Sequence, residues 1–324
     1  MQSLKWGVLS TANIGTKLVI PGMQRSQKNK IVAISSRNLD KAKEAAGALE
    51  ISKAYGSYEE LLADPEIDAV YNPLPNHLHV PWTIKALEAG KHVLCEKPIS
   101  ITDTEAEELL EAAKKYPDLK VMEAFMYRFH PQWKKVKSLI ADGEIGELKS
   151  IRSVFTYFNT DPKNVRNMAD IGGGGLLDIG CYCINLSRFI FEGEPKNIQS
   201  FMEFDPEFGT DRLASGILEF ENGTATFTCS TQLENYQEAI IHGSKGMIKL
   251  NIPFNAPNEH TRKAIVKKDG NTETHFFDTC DQYTLQADAF AEAIFANTPV
   301  PVSLEDSIAN MKVITTMFNQ HPQK

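Results

Sequence analysis

The 324-residue chain has few cysteines and no long hydrophobic segment. Its five cysteines form no Cys-x-x-Cys pair, and an odd number without a secretion signal predicts reduced thiols and a cytoplasmic location. The first residues lack the pattern of a cleavable signal peptide. No run reaches the roughly eighteen consecutive apolar residues that a membrane-spanning helix requires. The sequence therefore argues against a secreted, disulfide-linked protein and predicts no membrane partner.

Positive charge is scarce as well. Lys and Arg number 34 against 42 Asp and Glu, which gives a net charge of -8. Because a nucleic-acid-binding surface needs clustered basic side chains, we expect no nucleic-acid partner. What remains is an ordinary globular composition, with 42% hydrophobic and 23% charged residues. A chain of this length is too long for one core and predicts two domains.

The N-terminal part of the chain alternates strand-like and helix-like segments. Strand-like runs occupy residues 6–10, 31–35, 69–74, 92–98 and 120–125, and helical patterns occupy residues 38–50, 57–63, 80–89 and 103–115. Asn38 and either Thr102 or Asp103 are candidate helix N-caps. Strand alternating with helix predicts βαβ units in a parallel, doubly wound sheet. We therefore predict an α/β fold whose residues 1–123 form a Rossmann dinucleotide-binding domain.

The pattern changes after about residue 125. Strand-like runs follow one another with little helix between them, at residues 147–158, 197–204, 212–220, 224–233, 236–242 and 246–251. Helical stretches occupy residues 176–191, 283–296 and 303–318. Consecutive strands joined by turns are typical of an antiparallel or mixed sheet. We predict a second, α+β domain over residues 124–324, with a large, open, mostly antiparallel sheet. Packing of its C-terminal helices against the first domain is left open.

A dinucleotide site is predicted at the turn that follows the first strand. Residues 10–15 (STANIG) occupy the position of a G-x-G-x-x-G motif, with Ser10 and Ala12 in place of two glycines. Small residues there allow a tight turn, close approach to a pyrophosphate and helix amides that point at it. An ordinary turn between strand and helix is the alternative. The candidate cofactor-binding residues of this turn are Ser10, Thr11, Ala12, Asn13 and Ile14.

The end of the second strand indicates which dinucleotide binds. NAD sites usually place an acid there to hold the ribose hydroxyls, but residues 35–38 read SSRN. A guanidinium and two hydroxyls suit the 2′-phosphate of NADP, so Ser36 and Arg37 predict NADP(H) over NAD(H). The alternative is a solvated arginine. Asp40 is the nearest acid, in the first turn of the next helix, where it is favoured by the helix dipole.

Four further motifs resemble a known family. They are residues 71–79 (YNPLPNHLH), 86–98 (ALEAGKHVLCEKP), 123–131 (EAFMYRFHP) and 172–182 (GGGGLLDIGCY). Together they resemble the family of glucose–fructose oxidoreductase, inositol dehydrogenase and MocA over essentially the whole chain. Tyr182 stands where many members carry His. This feature and the Ser36-Arg37 pair are most similar to the branch of dimeric dihydrodiol dehydrogenase and NADP-dependent D-xylose dehydrogenase.

The resemblance also implies roles for residues near the strand ends of the first domain. Lys97 would project toward the nicotinamide, and the Lys97–Pro98 peptide would be cis. Further cofactor contacts are implied for Pro73, Leu74, Asn76, His79 and Glu96. His77 and His79 could suggest a metal, but no third ligand lies at a recognisable spacing, so we predict no metal.

A catalytic constellation is predicted from Asp178, Tyr182 and Lys97. Asp178 and Tyr182 are four residues apart in a predicted helix and therefore share a face. The four preceding glycines would let the backbone approach a ligand. We predict Tyr182 as the acid/base and Lys97 as the group that lowers its pKa and binds the substrate oxygen. Asp178 is predicted to orient the substrate, and its share in proton transfer is left open. The alternatives are a core tyrosine and an aspartate favoured by the helix dipole.

The predicted function is hydride transfer between NADP(H) and a CH–OH or C=O group of a small sugar, polyol or cyclic diol. Arg128, His130 and Arg166 are weaker candidates for the substrate pocket. The alternatives are a cofactor-binding regulatory protein without turnover and a reductase of a larger planar substrate. Thr226, Thr228 and Ser230 alternate with apolar neighbours, which leaves one mixed sheet face for a homodimer contact.

Overall fold

The computed structural model describes residues 2–258 and 262–322. The chain divides into two compact units. One contains the chain up to Met126 together with Asp281–Ile308, and the other contains Tyr127–Cys280 together with the segment from Ala309 onward. The assignment of residues 1–123 and 124–324 as functional domains stays a prediction.

The strands of the described residues are numbered in chain order. They are β1 (Leu4–Leu9), β2 (Asn29–Ser35), β3 (Lys53–Tyr55), β4 (Ala69–Asn72), β5 (His92–Cys95), β6 (Val121–Glu123), β7 (Leu148–Phe158), β8 (Asn197–Phe204), β9 (Asp211–Phe220), β10 (Gly223–Ser230), β11 (Gln232–Gly243), β12 (Gly246–Leu250), β13 (Arg262–Lys268) and β14 (Asn271–Phe277).

The α-helices of the described residues are numbered in the same way. They are α1 (Ile20–Gln24), α2 (Leu39–Ala48), α3 (Tyr58–Leu62), α4 (His79–Glu88), α5 (Asp103–Ala113), α6 (Pro131–Ala141), α7 (Cys181–Phe191), α8 (Gln282–Phe295) and α9 (Leu304–Asn319). Two π-helical turns, Gly15–Val19 and Leu176–Gly180, directly precede α1 and α7. None of the described helices is both long enough and apolar enough to span a membrane.

The first unit contains the predicted parallel sheet. Its order is β3-β2-β1-β4-β5-β6, and all neighbouring strands are parallel. This is the Rossmann strand order, in which ligands bind at the carboxyl ends of the strands. The predicted caps are confirmed: the side chain of Asn38 accepts from the amide of Lys41 at the start of α2, and that of Thr102 accepts from Glu105 at the start of α5.

The second unit contains an eight-stranded sheet, ordered β14-β13-β12-β11-β7-β10-β9-β8. Among the described strands of this sheet, only the neighbours β7 and β10 are parallel, which confirms the prediction of an open, mostly antiparallel sheet. The sequence patterns missed β13, β14 and α6. β14 is an edge strand rich in Thr and Glu, and such polar edges lack the hydrophobic alternation that reveals a strand.

The two faces of the eight-stranded sheet differ in polarity, as predicted. Ala225, Phe227 and Cys229 of β10 are buried, and α7 packs on this face against β7 and β10. Thr226 and Thr228 point the other way and are half-buried. On that outward face, Phe201 of β8 is 60% exposed and Ile217 of β9 is 49% exposed.

Candidate active site

The turn after β1 has the geometry of an anion-binding turn. Ser10 has a φ of 76°, in the left-handed region that favours glycine. Its Oγ accepts a hydrogen bond from the amide of Ala12 at 3.2 Å. The amide of Thr16 donates to the carbonyl of Ala12 at 3.0 Å, which makes this the first helical hydrogen bond of the segment. The amides of residues 13–15 therefore belong to the first helical turn, where backbone amides have no acceptor within the helix. Residues 10–15 therefore fit the pyrophosphate of a dinucleotide.

The end of β2 carries the predicted arginine. The hydroxyl of Ser36 accepts from the amide of Asn38 at 3.2 Å, which fixes the turn into α2. Arg37 is exposed and hydrogen-bonds the hydroxyl of Tyr58; burial raises the pKa of this tyrosine, and the Arg37 charge opposes the rise. Asp40 lies in the first turn of α2. The strand end therefore presents a guanidinium where an NAD site would present an acid.

His79 connects the loops that follow β4 and β5. Its Nδ1 lies 2.7 Å from the carbonyl of Pro98, and its Nε2 lies 2.6 Å from the carbonyl of Leu74. Burial lowers the pKa of His79 to about 4. The Lys97–Pro98 peptide is cis, as the resemblance implied. Both ring nitrogens of His79 thus face backbone carbonyls, which gives this residue a positioning role beside the predicted cofactor contacts.

The remaining predicted residues of the first unit lie at the same sheet edge. Pro73 and Leu74 follow β4, and Asn76 begins a short 3-10 turn. Glu96 and Lys97 follow β5 and are half-buried. The hydroxyl of Tyr71 donates to Oε1 of Glu96 at 2.6 Å. The structure therefore brings the predicted cofactor residues to the carboxyl ends of β1, β2, β4 and β5.

In the second unit, the glycine run is required by neighbouring protein atoms. Gly174 has a φ of 115°, and a Cβ there would overlap Oδ1 of Asp211. A Cβ on Gly173 would lie 2.6 Å and 2.7 Å from the carbonyls of Met168 and Arg166. Crowding within the fold therefore requires glycine at both positions, and the close approach of the glycine run to a ligand stays a prediction. Asp211, which the sequence analysis missed, causes part of this crowding.

Asp211, the first residue of β9, is a buried acid. Its side chain contacts the start of the helical segment that carries the predicted catalytic residues. Its Oδ2 accepts from the amide of Leu176 at 2.6 Å, which satisfies one of the first amides of the π-helical turn. Burial raises the pKa of Asp211 to about 7, and the negative charge of Asp178 adds to the rise.

Asp178 accepts two hydrogen bonds on one oxygen. The hydroxyl of Tyr157 donates to Oδ2 at 2.7 Å, and Nε of Arg166 donates to the same atom at 2.8 Å. Burial raises the pKa of Tyr157, and the adjacent Asp178 charge adds to the rise. Asp178 also raises the pKa of Arg166. We call Tyr157, Arg166 and Asp178 the Asp178 cluster; Arg166, predicted as a substrate contact, is brought to this cluster by the structure.

Tyr182 lies one helical turn after Asp178. The pair spans the junction between the π-helical turn and α7. The ring of Tyr182 is 5% exposed, and its centroid lies 5.9 Å from Tyr127, 5.7 Å from Phe155 and 5.4 Å from Phe254. Tyr182 also contributes to the raised pKa of Arg166. The predicted helix face thus places a phenol near a carboxylate–guanidinium pair within aromatic surroundings.

The other weak candidates have packing partners. The Arg128 guanidinium lies 4.5 Å above the ring centroid of Phe189. His130 is buried and caps α6, where its Nδ1 accepts from the amide of Gln132 at 3.1 Å. Burial, together with the charge of Arg262, lowers the pKa of His130 to about 4. Within residues 2–258 and 262–322, no three His, Cys, Asp or Glu side chains are placed to share a metal ion.

The sequence analysis missed Tyr157 and Asp211 in this region. Tyr157 ends the strand-like run 147–158, and Asp211 directly precedes the run 212–220. A single phenol or acid at the end of a strand carries no distinguishing pattern. Their partners, Asp178 and Leu176, are 21 and 35 residues away, and they meet because the π-helical turn packs on β7 and β9.

Comparison with known proteins agrees with this architecture. Residues 4–125 match the family described as an oxidoreductase family with an NAD-binding Rossmann fold, and residues 133–249 match the GFO/IDH/MocA C-terminal domain. A D-xylose 1-dehydrogenase (NADP+) of Haloferax volcanii is 35% identical over 97% of this chain and 96% of its own. A trans-1,2-dihydrobenzene-1,2-diol dehydrogenase of Xenopus laevis is 37% identical over 76% of this chain and 74% of its own.

A solved structure extends the similarity to three dimensions. A 3-ketoreductase from Actinomadura kijaniata, in complex with NADP and TDP-benzene, has a TM-score of 0.91 and 28% identity. The alignment covers 98% of both chains. The predicted family, two-domain fold and enzyme class are thereby confirmed. The chain belongs to the family of glucose–fructose oxidoreductase, inositol dehydrogenase and MocA, and it is an oxidoreductase with a Rossmann domain for a nicotinamide dinucleotide.

Proposed function

We propose that this chain is a cytoplasmic, NADP(H)-dependent oxidoreductase of a small sugar, polyol or cyclic diol. Two relatives are named for the oxidation of D-xylose with NADP+ and of a dihydrodiol, and the similar 3-ketoreductase was solved with NADP. The five cysteines are free thiols, which suits a reducing compartment. The position of Tyr182, one turn after Asp178 and surrounded by aromatic rings, supports this function most directly.

We assign the proton exchange of the reaction to Tyr182. A bound nicotinamide supplies or accepts the hydride, and the substrate oxygen must gain or lose a proton in the same reaction. The phenol of Tyr182 takes this proton during oxidation and returns it during reduction. We assign to Lys97 the role predicted from the sequence, a positive charge that lowers the pKa of the phenol and binds the substrate oxygen. Asp178 orients the substrate hydroxyl by accepting its hydrogen bond.

Substitution of Tyr182 by Phe tests this assignment. The change keeps the ring and deletes only the hydroxyl, so turnover should fall by about a hundred- to ten-thousandfold, the usual contribution of general acid–base catalysis. NADPH affinity should barely change, because the hydroxyl serves the reacting group. The assay follows NADPH absorbance with aldoses, dicarbonyls and cyclic diols in both directions. If Tyr182→Phe kept more than about half of normal turnover with chemistry rate-limiting, the assignment would be wrong.

We propose that Ser36 and Arg37 select NADP(H). Loss of one charge-assisted phosphate contact weakens binding by roughly tenfold to a hundredfold, so Arg37→Ala should lower NADP affinity by this factor and leave NAD affinity nearly unchanged. Lys43→Ala is a matched control, because it removes one exposed positive charge from α2. Equal binding of NAD and NADP by the unmodified protein would contradict the proposal.

We also propose a homodimer that forms through the outward face of the eight-stranded sheet. Exposed Phe201 and Ile217 lie on adjacent strands of this face, next to half-buried Thr226 and Thr228. Such a mixed face can pair with a second copy about a two-fold axis. Light scattering at low micromolar concentration should report twice the chain mass of 36.1 kDa. Ile217→Asp should yield the monomer, and a 36.1 kDa species from the unmodified protein would rule out a stable dimer.

A further inference from the structure

The Asp178 cluster contains two donors that share one acceptor atom. Tyr157 belongs to the end of β7, and Arg166 belongs to the short 3-10 turn Val165–Asn167 that follows. Both donate to Oδ2 of Asp178, at 2.7 Å and 2.8 Å. Two donors from separate elements fix the orientation of a carboxylate more tightly than one. A carboxylate that accepts charge-assisted bonds is also favoured in its ionised form.

We infer that Tyr157 and Arg166 are positioning residues that hold Asp178 as an ionised hydrogen-bond acceptor for the substrate hydroxyl, so that Tyr182 alone exchanges the proton. The inference rests on the proposed function, because it assigns Asp178 a substrate. The sequence left open whether Asp178 or Tyr182 transfers the proton. An aspartate held by a permanent cation orients the substrate, and the phenol one turn later exchanges its proton.

The charged and titratable groups of the second unit around Asp178 support this division. Arg166 supplies a positive charge from the 3-10 turn, whereas Asp211 on β9 would favour a protonated Asp178 once Asp211 itself is ionised. Tyr157 on β7 has a raised pKa and stays a neutral donor. Tyr182 on α7 completes the set. Arg166 and Tyr157 together therefore offset the influence of Asp211.

Tyr157→Phe tests the inference without any substrate. Carbon-13 NMR of protein labelled at the aspartate carboxyl carbon reports the titration of Asp178, whose signal is identified by its loss in Asp178→Asn. Removal of one hydrogen bond to a charged group should move this titration upward by about one to two pH units. Arg166→Gln should move it in the same direction, whereas Arg166→Lys, which keeps the positive charge, should move it less.

Tyr55→Phe is a matched control within the same chain. The hydroxyl of Tyr55 donates to Oδ2 of Asp64 at 2.8 Å, and Nζ of Lys53 donates to the same atom at 2.7 Å. This variant deletes the same phenol–carboxylate contact in the first unit and should leave the Asp178 titration unchanged. An Asp178 signal that titrates identically in Tyr157→Phe and in the unmodified protein would overturn the inference.

Kinetics with D-xylose and NADP+ separate this inference from the proposed function. In Tyr157→Phe, the acid limb of kcat/KM should move upward by the same one to two pH units, approximately, while kcat on the plateau changes little. An unmoved acid limb combined with an inactive Tyr182→Phe would overturn the positioning role and support the proposed function. A screen without any turnover would contradict the proposed function, and the NMR titration would still decide the role of Tyr157.

Discussion

Two aspartates of this chain accept hydrogen bonds from a phenol and a cation on a single oxygen. Asp64 accepts from Tyr55 and Lys53, and Asp178 accepts from Tyr157 and Arg166, with all four distances between 2.7 and 2.8 Å. We call the first set the Asp64 cluster. Because the local chemistry is nearly the same, it cannot by itself distinguish a structural contact from a functional one. The surroundings of the two clusters differ in three respects.

The Asp64 cluster is local in sequence. Its members lie within residues 53–66, Oδ1 of Asp64 accepts from the amide of Glu66, and Lys53 also pairs with Glu66. The two donors to Asp178, Tyr157 and Arg166, instead lie 21 and 12 residues before it in the chain. A second acid, Asp211, lies nearby in full burial, and the next helical turn carries Tyr182. Sequence distance, an unmatched buried acid and a neighbouring phenol therefore distinguish the candidate site.

The largest expected effect concerns the crowding that accompanies Asp178. Gly174→Ala combines a positive φ with overlap on Asp211, and we expect the free energy of unfolding to fall by about 3 kcal/mol or more. Gly143→Ala is the control, since Gly143 has a φ of 72° and nothing within 4 Å of its Cβ position. It should lose only about 1 kcal/mol. Urea denaturation measures both, and equal losses would contradict the importance of crowding.

The fold was predictable because its signals are local. Asn38 and Thr102 cap helices that begin where the sequence placed them, and the turn between β11 and β12 follows from Gly243 and Gly246. Each cap depends on a side chain that interacts with the backbone three residues away, and the turn depends on the two glycines beside it. β13 and β14 escaped prediction because Lys, Thr and Glu side chains interrupt their hydrophobic pattern, and both strands are stabilised by pairing with their neighbours, which the sequence does not display.

The candidate site was predictable only in part, for the same reason. Asp178 and Tyr182 share a helix, so their proximity follows from their spacing. Arg166 was only a weak candidate, and Tyr157 was absent, since both approach Asp178 through the path of β7 and the turn that follows it. Asp211 reaches Leu176 across 35 residues. Contacts of this range are set by the packing of the π-helical turn on the sheet, not by any local pattern.

A smaller effect separates the two aspartates directly. Asp178→Asn should lower kcat/KM by about a hundredfold, as loss of a charge-assisted contact to the substrate predicts, with a small change in stability. Asp64→Asn should leave kcat/KM unchanged and lower the free energy of unfolding at pH 7 by about 1–2 kcal/mol. Burial by itself would raise the pKa of Asp64. Hydrogen bonds from Lys53, the Glu66 amide and Tyr55 outweigh burial and lower this pKa to about 2.

The pH dependence of the unfolding free energy of Asp64→Asn tests this expected loss of stability. Because the folded pKa of Asp64 is depressed, its contribution to stability is present above about pH 4 and is lost as the pH falls toward 2. The stability difference between Asp64→Asn and the unmodified protein should therefore vanish in acid. A comparable loss of kcat/KM in both variants would show that the two clusters do not differ in function.

The last expected effect is a pH dependence of opposite sign at Asp211. Burial raises the pKa of this acid to about 7, whereas an unfolded aspartate titrates near 4, approximately. Between these values the folded protein binds one proton more than the unfolded chain, so stability falls as the pH rises. We expect Asp211 to remove about 2 kcal/mol of unfolding free energy between pH 5 and pH 7.

Asp211→Asn should flatten this decline. The asparagine keeps an oxygen that can accept from the amide of Leu176 and cannot ionise, so the variant should gain on the unmodified protein as the pH rises from 5 to 8. Urea denaturation at four pH values across this range measures the gain. Asp118→Asn, at an exposed position, should give a stability curve parallel to that of the unmodified protein. If the curve of Asp211→Asn were also parallel to that of the unmodified protein, Asp211 would already be ionised in the folded protein at pH 5. Two carboxylates, Asp178 and Asp211, would then each carry a full negative charge near Arg166, and the single positive charge of Arg166 would have to offset both.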